Sequence, residues 1–406
     1  MINLLIVVEL LLMALYTIKY KTKNGRLTID HVVLLFSGYI FYVYLPFFLF
    51  SLEIFQNSGQ REAYQNIESL DIEIFFIIFL GIVIVTIMSD FRSRNIKIKP
   101  TGLGVPNVTL MKATLLFFLI ITLPALYNMI PAFFSKYDSS LWVRGSRGPF
   151  LSFIMISITM SSIYLSRQNK FKPLNIFTFV AFFYSLLNLT SGNRGFFIVF
   201  VVSIIVIVSQ KNYGIKYKNI FIVVFTGVIL SGLIAGLRSG HLSFEIDSIL
   251  YQVIAEGGNV MTSLVLYLGQ QNIELIEFPF SLFRQFINII PSILFPSKFD
   301  LLTLDPRVPY YLAASHFYVL LAINFGIIGM YFFMYFFVYI LHVLKAKFRF
   351  VGFYAALCGY IPFMFFRDFE LTIVKFMLEF TVLFSVMLLL ITGVVKYSNK
   401  RENENE

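Results

Sequence analysis

Apolar stretches of about 20 residues recur along this chain and constrain its fold more than any other feature. Each is close to the length that an α-helix needs to cross the hydrocarbon core of a bilayer. The pattern predicts an all-α polytopic membrane protein in which residues 1–406 form one integral membrane domain. We expect about eleven spans, at residues 2–18, 31–52, 72–89, 113–133, 149–166, 174–190, 196–210, 219–237, 316–341, 351–366 and 372–395.

The composition excludes a soluble globular domain and changes the meaning of the positive charge. Only 13% of the residues are charged and 58% are hydrophobic, whereas a soluble domain is about one quarter charged. The formal net charge of +10 would point to nucleic acid in a soluble chain, but in a membrane protein Lys and Arg set the orientation. We therefore expect a lipid bilayer, and no nucleic acid, as a partner. The one cysteine, Cys358, is expected to be a small buried hydrophobe.

Basic residues separate onto alternate loops of the predicted topology. Of 32 Lys and Arg, 21 fall on one side and 11 on the other. The side with the excess is predicted to be cytoplasmic, which places the N-terminus outside and the C-terminus inside. On this assignment His31 and His342 border cytoplasmic loops and are expected at the membrane interface. Two acids, Glu9 and Glu379, fall well inside predicted spans.

One predicted external loop, residues 238–315, is far longer than any other connection, and long loops commonly carry function. Apolar residues recur at helical spacing from Ile249 to Leu268, which predicts an amphipathic helix. A twelfth span is the alternative for this segment, but it would place the basic cluster from Lys345 to Arg349 outside. Five prolines follow between Pro279 and Pro309 and predict a kinked lid, since they exclude a long regular helix.

Arginine dominates the cations predicted to face outward, at 8 of 11, whereas lysine dominates inside, at 15 of 21. A guanidinium offers a planar fork that matches phosphate or carboxylate oxygens, so the outward set indicates an anionic ligand. The alternative is that these arginines pair with acids of the same loops. Four lie in glycine-rich turns that let a ligand approach the backbone, which predicts a phosphate or pyrophosphate site: Arg144, Arg147, Arg194 and Arg238. Further outward candidates are His241, Arg284 and Arg307.

His316 is the ionisable residue at the mouth of the ninth predicted span. In that position it is a candidate general base or a donor to a phosphate, and a plain interfacial histidine is the alternative. Gly326 and Gly329 follow it, at a spacing that lets helices pack closely.

These features resemble the O-antigen polymerase and O-antigen ligase superfamily. The resemblance lies in the many spans, the large external loop late in the chain, the Ser-Gly-Asn-Arg-Gly turn at 191–195, and His316 followed after nine residues by Gly-x-x-Gly. It implies a GT-C-like membrane protein of the bacterial inner membrane, with residues 238–315 as a periplasmic loop and an active site at the periplasmic face. It further implies a polymerase that joins undecaprenyl-diphosphate-linked oligosaccharide repeat units by glycosyl transfer, with Arg194 and Arg238 on the diphosphate.

On this interpretation fixed arginines stabilise the leaving diphosphate, so the transfer requires no metal and no cofactor. The acceptor hydroxyl needs at most a weak base, for which His316 is the first candidate, followed by Glu256 and Asp305. Ligases favour a small polar residue after the histidine, where Phe317 stands here. The alternatives to a polymerase are an O-antigen ligase and a flippase or transporter of the same lipid-linked oligosaccharide. A polysaccharide chain-length regulator is left open as a partner.

Overall fold

The described part of the chain is a bundle of helices with one very small sheet. The computed structural model describes residues 1–52, 58–94, 108–134, 147–168, 174–190, 195–212, 214–223, 225–227, 229, 246–269, 274–287, 307–309, 315–346 and 351–365. The helices used below are α1 (Ile2–Lys21), α2 (His31–Tyr39), α3 (Leu45–Ser51), α4 (Ser58–Gln65), α5 (Ser69–Ser93), α6 (Val108–Phe134), α7 (Arg147–Arg167), α8 (Ile176–Thr190), α9 (Gly195–Lys211), α10 (Ile246–Leu268), α11 (Phe280–Ile287), α12 (Phe317–Ala346) and α13 (Val351–Met364).

Within the described residues, six helices are long and apolar enough to cross a membrane. They are Ile2–Lys21, His31–Ser51, Ser69–Ser93, Val108–Pro131, Phe150–Arg167 and Phe317–Ala346, and each overlaps a predicted span. The prediction of an all-α, multi-pass membrane protein is therefore confirmed, while the number of eleven spans stays a prediction. Three predicted spans, 174–190, 196–210 and 351–366, correspond to shorter apolar helices. The span at 219–237 is described only in part, and that at 372–395 lies outside the described residues.

The described helices bury two hydrophobic cores. The larger joins α1, α2, α3, α5, α10 and α12, and the smaller joins α6, α7, α8 and α9. Helix α13 packs against α7 and α9 on one side and against α2 and α12 on the other, so it connects the two cores. Cys358 on this helix is a free, buried thiol, as predicted. Aromatic rings fill much of the larger core, including the stacked pair Phe75 and Phe79.

The span at 31–51 contains a widened turn. Residues Ile40–Tyr44 form a π-helical segment between α2 and α3. Pro46 follows directly, and proline has no N–H with which to bond the carbonyl four residues earlier, here that of Tyr42. Its ring would also crowd that carbonyl in a regular α-helix, which accounts for a wider turn at this point.

A three-stranded antiparallel sheet lies where α1 and α9 end. It consists of β1 (Thr22–Lys23), β2 (Arg26–Leu27) and β3 (Ile215–Lys216) in that order. Asn24 and Gly25 connect the first two strands with φ of 52° and 68°, the left-handed values that an Asn-Gly hairpin turn requires. This hairpin was not predicted, although the Asn-Gly pair is its sequence signal.

Helix α12 is broken at Gly326, whose φ of 66° and ψ of −176° are not helical. The segment 274–276 of the long loop lies against the break, where the amides of Ile327 and Ile328 donate to the carbonyls of Glu274 and Leu275, both at 3.1 Å. A Cβ at Gly326 would stand 2.7 Å from the Ile276 nitrogen. Gly326 was predicted to let two helices pack closely. That prediction was wrong, because the segment that approaches Gly326 is not helical.

Candidate functional site

The bundle has two ends that differ in chemistry. We call the end at which α1 and α5 finish and α2 begins the basic end, and the end at which α12 begins the outer end. Most residues predicted to bind substrate have no described side chain. Of these, Arg144, Arg194, Arg238, His241 and Asp305 lie outside the described residues, and Arg147, Glu256 and Arg284 are described only as backbone positions in α7, α10 and α11. Their roles stay predictions.

His316 immediately precedes α12 and is completely buried. Its ring lies against Phe317, with centroids 5.1 Å apart, and against Phe75 at 6.3 Å. Nδ1 accepts the backbone N–H of Tyr318 at 3.1 Å. Because Nδ1 accepts a hydrogen bond, the single proton of a neutral imidazole lies on Nε2. The ring also interacts with the backbone of Tyr42 in the widened turn. The carbonyl of Tyr42 receives no helical hydrogen bond from Pro46, because proline has no N–H.

This geometry makes His316 a hydrogen-bond donor through Nε2. To accept a proton as a general base, the ring would have to release the N–H of Tyr318 or exchange its tautomer. Nε2 has no well-aligned partner among the described residues, and the same holds for three buried hydroxyls on α10 and at the start of α12: Ser263, Ser315 and Tyr318. Buried polar atoms of this kind call for partners, so the start of α12 is polar as well as enclosed.

Among the arginines named above as ligand candidates, Arg307 is the one whose side chain is described. Its Nη1 lies 3.4 Å from Oε1 of Glu277, and both side chains are partly exposed. Here the alternative stated for the outward arginines, pairing with an acid of the same loop, fits the geometry. Glu277 follows the segment that lies against Gly326, so this ion pair joins two parts of the long loop.

The long loop is fastened to the bundle at several further points. Gln60 on α4 donates to Asn259 on α10 at 3.1 Å, and the amide of Leu282 donates to Asn324 of α12 at 2.9 Å. Helix α10, at the position predicted for an amphipathic helix, buries Met261 and Leu264 in the larger core. The described parts of the loop are therefore integrated into the bundle.

The basic end contains a cluster of charges that sequence reasoning missed. Asp30 and Asp90 are both completely buried. Lys21, the last residue of α1, bridges them, with Nζ 2.7 Å from Asp30 Oδ2 and 2.8 Å from Asp90 Oδ2. Lys345 of α12 lies 2.7 Å from Asp30 Oδ2, and Arg94 Nη2 lies 2.8 Å from Asp90 Oδ2. We call these five residues the ion cluster.

Local structure places each member of the cluster. Asp30 is the N-cap of α2, and its Oδ1 accepts the amides of Val32 and Val33 at 3.2 Å. Asp90 lies in the last turn of α5, four residues before Arg94. Burial by itself would raise the pKa of Asp30, but the ammonium groups of Lys21 and Lys345 hold that pKa well below its ordinary range. Asp30 therefore stays ionised at neutral pH.

Two histidines lie beside the ion cluster and are largely enclosed by the protein, while their predicted place at the membrane interface stays a prediction. His31 is completely buried and His342 has a side chain that is 13% exposed. Both face Oδ1 of Asp90, which lies 3.9 Å from His31 Nε2 and 3.4 Å from His342 Nδ1. Their enclosure was not predicted, and for His31 it involves α13, because its ring lies against Tyr354 with centroids 5.7 Å apart. An aspartate before an apolar run is an N-cap signal, which would have found the position of Asp30 but not its burial.

The fold and its two polar regions define a multi-pass, all-α membrane protein with a buried ion cluster at one end. A comparison with protein-family models, with curated proteins and with solved structures found no match to the chain. The function is therefore argued from the residues of this chain.

Proposed function

We propose that this protein is a surface-polysaccharide polymerase with a GT-C-like fold. It would join undecaprenyl-diphosphate-linked oligosaccharide repeat units at its outer end, facing the periplasm, as an enzyme of the bacterial inner membrane. One observation carries the proposal beyond the sequence pattern. The described parts of the long loop are fastened to α12 at Glu274, Leu275 and Leu282, and the same helix begins at the buried polar residues around His316. A loop held in this way supplies fixed groups, and electrostatic catalysis depends on groups that need not reorganise.

The reaction proposed for this end is a simple displacement. A hydroxyl oxygen of the acceptor repeat unit attacks the anomeric carbon of the donor chain, and the bond from that carbon to the diphosphate oxygen breaks. Undecaprenyl diphosphate departs with the electron pair of that bond, and the hydroxyl proton passes to a base. Arg194 and Arg238, with Arg144 and Arg147, would stabilise the charge on the diphosphate as it develops.

The geometry of His316 disfavours its predicted role as a general base. A neutral ring that holds the Tyr318 amide at Nδ1 presents an N–H at Nε2 and suits donation to an oxygen. We therefore assign the proton-accepting role to Glu256 or Asp305, and to His316 the positioning of the start of α12 against the widened turn.

The test replaces arginines one at a time in cells that depend on this protein for surface polysaccharide. Arg194→Ala and Arg238→Ala are expected to leave the protein in the membrane while only single repeat units reach the cell surface. Arg92→Ala is the matched control, since Arg92 is exposed at the basic end, and it should make long chains. Long chains in both outer-end variants would refute the proposal. Loss of polymer attachment with accumulation of lipid-linked polymer would indicate a ligase instead.

A transporter of the same lipid-linked oligosaccharide is the second candidate, and two observations favour it. Transporters commonly use broken helices and ionisable residues within the bundle, and this chain has a break in α12 at Gly326 and a buried ion cluster. Purified protein in liposomes with lipid-linked repeat units distinguishes the two. New glycosidic bonds support the polymerase, and translocation without bond formation supports the transporter.

A further inference from the structure

Three side chains of the types that bind metal ions meet at the basic end. Nε2 of His31, Oδ1 of Asp90 and Nδ1 of His342 all lie within 4.8 Å of one another. His31 and Asp90 are completely buried, and the three residues belong to α2, α5 and α12, which are far apart in sequence. This group lies at the opposite end of the bundle from His316 and has no part in the mechanism proposed above.

Hydrogen bonding around Tyr354 determines which nitrogen of His31 is free. The Tyr354 hydroxyl lies 3.1 Å from the backbone nitrogen of His31, from which it accepts, and 2.9 Å from Nδ1. Cys358 lies four residues further along α13, on the same face of the helix, and its sulfur can accept the hydroxyl proton. This arrangement assigns a proton to Nδ1 of His31, which donates to the hydroxyl oxygen, and leaves Nε2 with a bare lone pair.

That lone pair faces another acceptor. Nε2 of His31 has no hydrogen-bond partner in the described part of the chain, and the atom it approaches is the carboxylate oxygen Oδ1 of Asp90 at 3.9 Å. Nδ1 of His342 lies 3.4 Å from the same oxygen and, as a donor, would satisfy Oδ1 but not Nε2 of His31. A buried acceptor left without a donor is unfavourable. A cation between them would satisfy both, and Nδ1 of His342 is placed to complete its coordination.

The two oxygens of Asp90 have different surroundings. Oδ2 accepts from Tyr16, Lys21 and Arg94, whereas Oδ1 faces the two imidazoles. A carboxylate that binds a metal through one oxygen is commonly held by hydrogen bonds, and a histidine ligand commonly donates its other N–H to a nearby oxygen. Asp90 and His31 have these supporting contacts.

We propose that His31, Asp90 and His342 bind a zinc ion through Nε2, Oδ1 and Nδ1, leaving one position for water. Zinc bonds of 2.0–2.2 Å at tetrahedral angles separate the ligand atoms by about 3.3 Å. The distances of 3.4 and 3.9 Å to Oδ1 are close to that value, and the two histidine nitrogens, within 4.8 Å of each other, would draw together around the ion. Hard cations such as Mg²⁺ and Ca²⁺ need several oxygen ligands, and this site offers one.

The charge of the surroundings also selects the kind of ion. The ion cluster holds three cations and two carboxylates, so attraction to negative charge contributes little to binding. An ion that binds neutral imidazole strongly is therefore required, which favours zinc among the available divalent metals. The bound ion ties α2, α5 and α12 together at the basic end, and its role is to hold these helices.

The test measures metal binding by the full-length protein in detergent or nanodiscs. After metal removal and addition of zinc, we expect about one strongly held zinc ion per chain. Co²⁺ used as a probe should show the intense visible bands of a tetrahedral site. His31→Gln and His342→Gln should each weaken zinc binding tenfold or more, the order of loss seen even for supporting contacts, whereas His316→Gln at the outer end should not. Zinc should raise the thermal midpoint of the wild-type protein.

The partly exposed His342 keeps the test decisive, because His342→Gln is expected to fold even where His31→Gln does not. Equal zinc binding by the wild-type protein and His342→Gln would overturn the proposal and would identify bound zinc as adventitious. Absence of zinc binding by the wild-type protein would overturn it as well, as would a preference for Mg²⁺.

Discussion

Lys21 is the residue whose replacement tests the ion cluster most directly. Its side chain is 4% exposed and its Nζ pairs with both buried aspartates. Lys21→Met keeps the length of the side chain and removes the charge. Breaking a buried ion pair costs about 3–5 kcal/mol, because the partner is left as an uncompensated charge. Here Lys345 still pairs with Asp30 and Arg94 with Asp90, so we expect the lower end of that range, about 3 kcal/mol.

Lys19→Met is the matched control for this substitution. Lys19 lies two residues earlier on α1, is exposed, and has only the ring of Tyr20 beneath its ammonium group, at 5.2 Å. Its replacement should change the free energy of unfolding by about 0.5 kcal/mol or less. The assay is denaturant-induced unfolding of both variants in the same detergent, followed by far-ultraviolet circular dichroism. If Lys21→Met proves as stable as Lys19→Met, the cluster does not stabilise the fold in the way argued.

Two further predictions concern the break in α12 and the titration of the cluster. Gly326→Ala should destabilise the protein by about 3 kcal/mol or more, from backbone strain and from loss of the two loop hydrogen bonds, whereas Gly227→Ala, where an added Cβ meets nothing within 4 Å, should have little effect in the same unfolding assay. Because the folded-state pKa of Asp30 is depressed, the stability it contributes is fully present above its ordinary pKa of 3.8 and is lost as pH falls below that value. Unfolding measured across that range should therefore show a shallower acid dependence for Asp30→Asn than for the wild-type protein, and equal slopes would contradict this account.

Local features of the sequence predicted much of the fold. The six long apolar helices coincide with predicted spans, since a span is defined by hydropathy over a window of neighbouring residues. The helix over Ile246–Leu268 lies where apolar spacing predicts it. Other local signals were present but unused, such as Asn24-Gly25 for the hairpin and Pro46 for the widened turn. In each case the cause lies within a few residues of the effect.

The features that sequence reasoning missed depend on partners far away in the chain. His31 and His342 were expected at an interface, yet they converge on Asp90 because α2, α5 and α12 finish or begin at the same end of the bundle. Arg307 has the sequence features of a ligand for an anion, and its pairing with Glu277 is visible only in three dimensions.

The sequence by itself therefore determined that this chain is a multi-pass helical membrane protein, because burial in lipid requires apolar helices whose length and composition are local properties. Tertiary structure alone decided which polar residues are buried together. In the sequence each of four residues resembles an ordinary charge in a loop: Lys21, Asp30, Asp90 and Lys345. They converge from four helix ends, and only this pairing offsets the cost of removing their charges from water. The sequence around Gly326 likewise predicts only close helix packing. The approach of Glu274 and Ile276 is what requires a break in the helix at this point, and glycine can adopt the φ of that break.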